Sequence, residues 1–443
     1  CLVGSEMCIR DRHKTIYRVG WTILLVGLFP LDAWAYLDPG TGSMLLSVLV
    51  GLVSSAYFLL RRLPALTRAF FFRLAGKKDD LKGNGIVFYS EGRAYWSTFR
   101  PVLLALVRRR VSVTFLTSDP EDPVFSTPEL SPFVHARFIG KGNTAYTALG
   151  FLEADVFVLT TPGIDVLQIK RSPGVKRYIH IVHAAGDIHT YKFYSFDYYD
   201  AVYCAAPGQV KSLRALESIR KTKPKDLPLL GCAYLDGLVA RQKKEESKPE
   251  EKTVLVAPTW GKNGLLTKTG ARVPLLLAKA GFHVILRPHP QSFVSDKAVI
   301  EDVLKAIDGN DAIELDRNPD GFVSLSRASA MVSDISGVIF DYAFVFLRPV
   351  VAVGPGPVKD GFEAWEIEHP AWEQEILPKI GERVLEADEA TLLAAVKRVM
   401  NAKDSLKETI QSIRDANIVN FGSAADPIAL ALIDEETREA HRD

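Results

Sequence analysis

Residues 333–353 read SDISGVIFDYAFVFLRPVVAV. A short β-rich run ends at Asp334, a helix-like apolar run follows, and a second β-rich run, RPVVAV, occupies 348–353. Strand, helix, strand is the unit of a parallel α/β sheet. Ser336 stands where a helix N-cap belongs, with the helix expected to begin around Gly337. Gly337, lacking a side chain, lets a ligand come close to the backbone. The first N–H groups of such a helix have no internal partner and favour an anion. Asp341, further along the same helix, is placed to hold hydroxyl groups. The plainer reading is an ordinary capped helix with Asp341 in solvent.

The same alternation extends in both directions. Downstream of a break at 241–252, the segments TVLVAPTW (253–260), FHVILRPHP (282–290), AIEL (312–315) and AMVSD (330–334) read as strands separated by helical runs. Upstream, GIVFYS (85–90), VSVTFLTS (111–118), DVFVLTT (155–161), RYIHIVH (177–183) and DAVYCAA (200–206) do the same, with helices expected at 94–109, 144–152 and 208–220. The break itself, RQKKEESKPEEK, has nine charged residues out of twelve and reads as a solvated linker. The expectation is an α/β protein of two Rossmann-like, doubly wound domains, 84–240 and 253–400, facing a cleft, with helices to follow at 401–443.

Further motifs fall at predicted strand ends, where open α/β sheets bind ligands. Arg287-Pro288-His289-Pro290 offers two donors for phosphate oxygens, and Pro258-Thr259-Trp260 ends the first strand of the second unit. A turn with solvated charges and a loop with a packing Trp are the plainer readings. In the first unit, YIHIVHAAGDIHTY brings His180, His183 and His189 together. Period-2 spacing puts Arg177, Ile179, Ile181 and His183 on one face and Tyr178, His180 and Val182 on the other. His183 closes the strand and is the candidate general base, with His189 second. His180 reads as packed or exposed. Ser90-Glu91-Gly92-Arg93, after the first strand, is a weaker candidate for an acceptor contact.

Composition and absent motifs narrow the chemistry. Of 443 residues, 54 are Lys or Arg and 53 Asp or Glu. That balance excludes a bulk-charge nucleic-acid binder, so no nucleic-acid partner is expected. Cys1, Cys8, Cys204 and Cys232 form no C-x-x-C pair, which excludes a disulfide scaffold and a thiolate zinc site. There is no G-x-G-x-x-G after a strand, no G-x-x-x-x-G-K-[ST], no H-E-x-x-H and no D-x-D. No cofactor and no bound metal are expected.

The N-terminal residues read differently. CLVGSEMCIRDR is set aside as read-through, and residues up to 38 form a signal-like or first apolar segment ending in Ala33-Trp34-Ala35. Residues 39–60 carry no charge and are long enough to cross a bilayer. The juxtamembrane segment 61–83 begins with six basic and no acidic residues between Arg61 and Lys78. Positive charge stays cytoplasmic, so the expected placement is a membrane anchor on the N-terminal side with the bulk of the protein in the cytosol.

As an ordered set, His183, Pro258-Thr259-Trp260, Arg287-Pro288-His289-Pro290 and Asp334-Ile335-Ser336-Gly337…Phe340-Asp341-Tyr342…Arg348-Pro349 resemble the CDP-glycerol glycerophosphotransferase family, over roughly residues 84–400. That family builds teichoic-acid-type poly(glycerol phosphate) on a GT-B fold. Gly261 stands where the family has Arg, Gly337 replaces a Ser, and His183-Ala184-Ala185-Gly186 departs from H-G-T-P. The resemblance implies CDP-glycerol or a related nucleotide donor held by Thr259, Arg287, His289, Ser336, Gly337 and Asp341. It also implies a lipid-linked or polymer acceptor activated by His183. Two other readings fit the same residues: a GT-B glycosyltransferase using a nucleotide sugar, and a non-catalytic membrane-tethered scaffold.

Overall fold

The computed structural model describes residues 48, 50–52 and 85–441, apart from 246, 247, 319, 335, 355, 357 and 358. Residues 1–80 and 81–443 are two separate units. The expected leader, spanning segment and basic juxtamembrane segment therefore lie outside the described residues, except for Val48, Val50, Gly51 and Leu52, which are helical. Among the described residues no helix is long and apolar enough to cross a membrane.

The first half of the unit 81–443 runs β1 (Ile86–Ser90), α1 (Trp96–Arg108), β2 (Val113–Thr117), β3 (Val134–Phe138), α2 (Asn143–Leu149), β4 (Ala154–Leu159), β5 (Val175–Ile181), β6 (Ala201–Tyr203), α3 (Pro207–Arg220) and α4 (Ala233–Glu245). The second runs β7 (Thr253–Val256), α5 (Leu265–Thr269), α6 (Arg272–Lys279), β8 (His283–Leu286), α7 (Ser292–Ser295), α8 (Lys297–Ile307), β9 (Ile313–Leu315), α9 (Phe322–Arg327), β10 (Ala330–Ser333), α10 (Val338–Phe346), β11 (Val350–Val353), α11 (Trp372–Ile380), β12 (Gly381–Val384) and α12 (Glu389–Asn401). Two helices follow, α13 (Lys403–Asn417) and α14 (Ala425–Ala440).

Each half holds a six-stranded sheet, ordered β3-β2-β1-β4-β5-β6 and β12-β11-β10-β7-β8-β9, and the strand pairs are parallel. Both orders are the dinucleotide-fold order 3-2-1-4-5-6, in which the chain reverses direction across the sheet between its first and fourth strands. Crevices for ligands therefore open at β1/β4 and at β7/β10, beyond the strand C-termini.

The strands are apolar on both faces because helices cover both. In β1, Ile86 and Phe88 join an outer core with Phe99 of α1 and Leu432 of α14, while Val87 and Tyr89 join an inner one. That inner core continues through Leu255, Ile285, Phe340 and Trp372 of the second half, so one apolar mass links the two sheets. Helix α14, last in sequence, returns to the first half: Arg108 and Arg109 pair with Asp426, and Arg177 pairs with Glu435. The 241–252 stretch is less free than its charge suggests. Helix α4 runs through Glu245, Arg241 is paired with Asp320, and Glu250 is paired with Arg327.

Candidate functional site

The crevice of the second sheet is built by one carboxylate. Asp334, at the end of β10, is buried and accepts from the backbone N–H of Thr259 (2.8 Å) and of Leu265 (2.7 Å). Ser333 donates from its hydroxyl to the Ala257 carbonyl at 2.6 Å. These bonds fold the Pro258-Thr259-Trp260 loop over the end of β7 and fix it beside the turn leading into α10. Burial raises the Asp334 carboxyl despite these two N–H donors. Gly261 has φ +87° and donates its N–H to Asp296 at 2.8 Å. A side chain there would be strained, which accounts for glycine where the resembling family carries Arg.

Helix α10 begins one residue later than expected, and Ser336 does not cap it. The N-cap position is Gly337, in right-handed helical geometry, with no side-chain capping bond. The first turn is closed by backbone bonds instead: Ile339 N–H to the Ser336 carbonyl at 3.2 Å and Phe340 N–H to the Gly337 carbonyl at 3.0 Å. Gly337 is exposed, with no atom within 4 Å of where a side chain would start. The close approach expected of this glycine is sterically open.

Asp341 is only partly open to solvent. It is half-buried, and burial pushes its pKa up to about 7, partly offset by a hydrogen bond from Tyr234 of α4. The Asp341 charge in turn raises the Tyr234 phenol well above its ordinary value. It also adds to the burial that lifts the Cys232 thiol to about 12. Cys232 donates to the Val182 carbonyl at 3.8 Å. Cys232 thus bonds to the residue before His183 and feels the charge of Asp341 in α10.

Arg287 and His289 follow β8. Arg287 donates through Nη1 to Asp316 Oδ2 (2.5 Å) and to the Asn318 carbonyl (2.8 Å). Its charge is already matched, so a phosphate would meet an Arg–Asp pair rather than a bare guanidinium. His289 is exposed, with Nδ1 accepting from the Gln291 N–H at 3.1 Å and Trp260 6.4 Å away, ring to ring. Its other ring nitrogen, Nε2, is the donor that remains for a ligand.

In the first half, His183 lies two residues past β5 and is half-buried. Tyr95 meets its ring edge-on at 5.6 Å, and the Tyr191 hydroxyl is 3.5 Å from Nδ1. Burial lowers its pKa to about 4, so the ring is a neutral base at pH 7. His180 is fully buried among Tyr191, Phe196 and Tyr199, with neither ring nitrogen hydrogen-bonded, and burial drives its pKa to about 3. It is a packing residue.

His189 is turned away from any open face. It is 4% exposed, with Nε2 3.0 Å from the His369 carbonyl and Nδ1 3.4 Å from Asp187 Oδ2. Burial works to lower its pKa, but Asp187 outweighs it and the net shift is upward. Asp187 donates its own N–H to both oxygens of Glu373, at 3.1 and 3.0 Å. The second histidine of the motif thus braces the two halves against each other, which its spacing from His183 did not reveal. Among the described residues no group of three His, Cys, Asp or Glu is disposed to hold a metal ion.

Two Rossmann-type halves with a C-terminal helix returning to the first define a GT-B-type fold. The wall teichoic acid polymerase TagF soaked with CDPG is similar in structure, with a TM-score of 0.55, 16% identity, and 88% of this chain and 97% of that one covered. UDP-GlcNAc 2-epimerase from Neisseria meningitidis, bound to UDP-GlcNAc, gives 0.50 at 12% identity over 81% and 100% of the two chains. The same enzyme from Methanocaldococcus jannaschii gives 0.51 at 11% over 80% and 99%. No protein-family profile matches this chain, and no curated protein matches it.

Proposed function

We propose that this chain is a GT-B transferase that moves phosphoglycerol from CDP-glycerol to a hydroxyl of a lipid-linked or polymer acceptor and releases CMP. The observation that carries the reading is the β7/β10 crevice, where Asp334 brings the Thr259 loop to the Ser336–Gly337 helix start. The motifs resembling the CDP-glycerol family fall on that crevice and on the adjoining end of β8. Likeness to nucleotide-bound structures, TagF with CDPG among them, supports a nucleotide donor.

In this mechanism the donor pyrophosphate lies at the N-terminus of α10, where the helix dipole favours negative charge and Gly337 leaves the backbone open to approach. His289 and the Arg287–Asp316 pair border it. Asp341, with its pKa about 7, accepts from or donates to hydroxyls of the ribose or glycerol. His183 donates Nδ1–H to the Tyr191 oxygen, which leaves Nε2 to accept the acceptor's proton. The acceptor oxygen bonds to the β-phosphorus, and the bond from that phosphorus to the bridging oxygen breaks. CMP leaves with the electron pair. Such a transfer depends on positioning and charge stabilisation, and requires no covalent enzyme intermediate.

Calorimetric titration with CDP tests the donor site. His289→Ala should weaken CDP binding about tenfold to a hundredfold, the worth of one charge-assisted hydrogen bond. Equal affinity in the wild type and in His289→Ala would remove His289 from the site.

We also propose that residues 39–60 anchor the chain in the bacterial inner membrane with the catalytic part in the cytosol, which keeps the site beside a membrane-borne acceptor. The motive is the uncharged run followed by six basic residues. In spheroplasts the C-terminal part should resist added protease until the membrane is lysed. Its digestion with the membrane intact would reverse the topology.

A further inference from the structure

The loop that follows His183 is held from both halves of the molecule. On one side stands Gln209, in the first turn of α3 and 1% exposed. Its Oε1 accepts from the Ala205 N–H at 2.7 Å, just past β6. Its Nε2 donates to the Gly186 carbonyl at 2.6 Å, with the Ala184 carbonyl 3.3 Å away. One buried amide thus ties residues 184–186 to the end of β6, the strand paired with β5, from which His183 emerges. The imidazole itself has one long hydrogen bond, to Tyr191, and an edge-on contact with Tyr95. Its place is therefore set largely by where the backbone carries it.

The second half holds the next residue, Asp187. Its N–H donates to both carboxylate oxygens of Glu373 in α11, and its Oδ2 accepts from the Trp372 N–H at 3.3 Å. The two helices that supply these anchors lie flush. Gly208 of α3, beside Gln209, has no side chain, and a Cβ there would stand 2.5 Å from the Trp372 ring. Asp187, Gln209, Trp372 and Glu373 are all buried, so water does not compete for these bonds. A buried polar group left without its partner is costly. The loop therefore follows its two anchors, one in each half.

We infer that Gln209 and Glu373 are positioning residues: from the two halves they clamp residues 184–187, and through that loop they fix the imidazole of His183. This deepens the transfer reaction proposed above and rests on it for the role of His183 as the base. It makes the setting of the base depend on a contact with the half that carries the proposed donor site.

Two readouts on the full chain test this, and one needs no turnover. In NMR of protein with carbon-labelled histidine, the His183 ring, assigned by its loss in His183→Ala, should titrate at about pH 4 in the wild type. Gln209→Met and Glu373→Ala should each free the loop, admit water to the ring and move that titration above about pH 5, towards the ordinary histidine value. In acceptor-dependent CMP release each should lower kcat about tenfold to a hundredfold, the cost of a misplaced reacting group, with CDP affinity within about twofold of wild type. Glu373→Gln, whose amide oxygen still accepts from the Asp187 N–H, should recover most of the loss. The Glu373 pair keeps the test open should Gln209→Met not fold. A purely structural role would lower the melting temperature and leave kcat and the titration where they were. Such unmoved values in the folded variants would overturn the inference. Full turnover in His183→Ala, with the titration moved in the clamp variants, would instead defeat the reading of His183 as the base and leave the clamp on its ring standing.

Discussion

His183→Ala is expected to lower kcat by ~10²–10⁴-fold, the usual cost of losing a general base, while CDP affinity stays within about twofold. The ring lies past β5 in the first half, while the proposed donor contacts belong to the second, so base and donor pocket are separable. Because burial holds the imidazole at about pH 4, it is already neutral across the physiological range. The wild-type rate should therefore be flat from pH 6 to 8 as far as this group is concerned and fall only towards pH 4. Tyr191→Phe should retain part of the activity, since it removes the one long hydrogen bond that Nδ1–H donates and leaves the imidazole in place. Full turnover in His183→Ala would take the base away from this residue. His189 would then be the next histidine to test, although its two nitrogens face His369 and Asp187.

Arg220→Met should produce the largest loss of stability. Arg220, at the end of α3, is the cation shared by Asp197 of its own half and by Glu363 and Glu366 of the other. Glu363 is completely buried, and its other partner is the Ser195 N–H at 3.0 Å. Removing one member of a buried charge pair costs about 3–5 kcal/mol, because the remaining charge is left uncompensated. Burial already raises the Glu363 pKa even with Arg220 beside it. A carboxyl whose folded-state pKa lies above its unfolded value gains stability on taking up a proton. The deficit of the variant should therefore be greatest at pH 7–8 and shrink as the pH falls through the folded pKa of Glu363. Chemical denaturation at pH 8 and pH 5 measures both points. A variant within about 0.5 kcal/mol of wild type at pH 8 would show that the cluster does not hold the halves together.

What the sequence disclosed and what it hid divide along a physical line. Central strands announce themselves, because helices on both faces demand unbroken apolar runs: IVFYS, ADVFVL and AMVS all became strands where they were expected. The strands missed were β3 (VHARF) and β12 (GERV), each at the end of its sheet. An edge strand is half in solvent and tolerates His135, Arg137, Glu382 and Arg383, so its sequence resembles a loop. The motif residues Thr259, His289, Ser336 and Gly337 could be placed at strand ends from spacing alone. Asp334's two bonds to the 259–265 loop, or the meeting of Tyr95 with His183 across 88 positions, have no local signature. His189 was misleading for the same reason. Its partner His369, and the Glu373 that its neighbour Asp187 engages, lie about 180 residues away.

The most direct measurement of the central claim is nucleotide release by the purified full chain offered CDP-glycerol, UDP-glucose and UDP-GlcNAc in turn, with a lipid-linked glycan acceptor. The account predicts free CMP from CDP-glycerol, dependent on acceptor and abolished together with phosphoglycerol transfer in His183→Ala. Release of UDP from a nucleotide sugar, with CDP-glycerol left intact, would contradict it and make the chain a glycosyltransferase of the same fold.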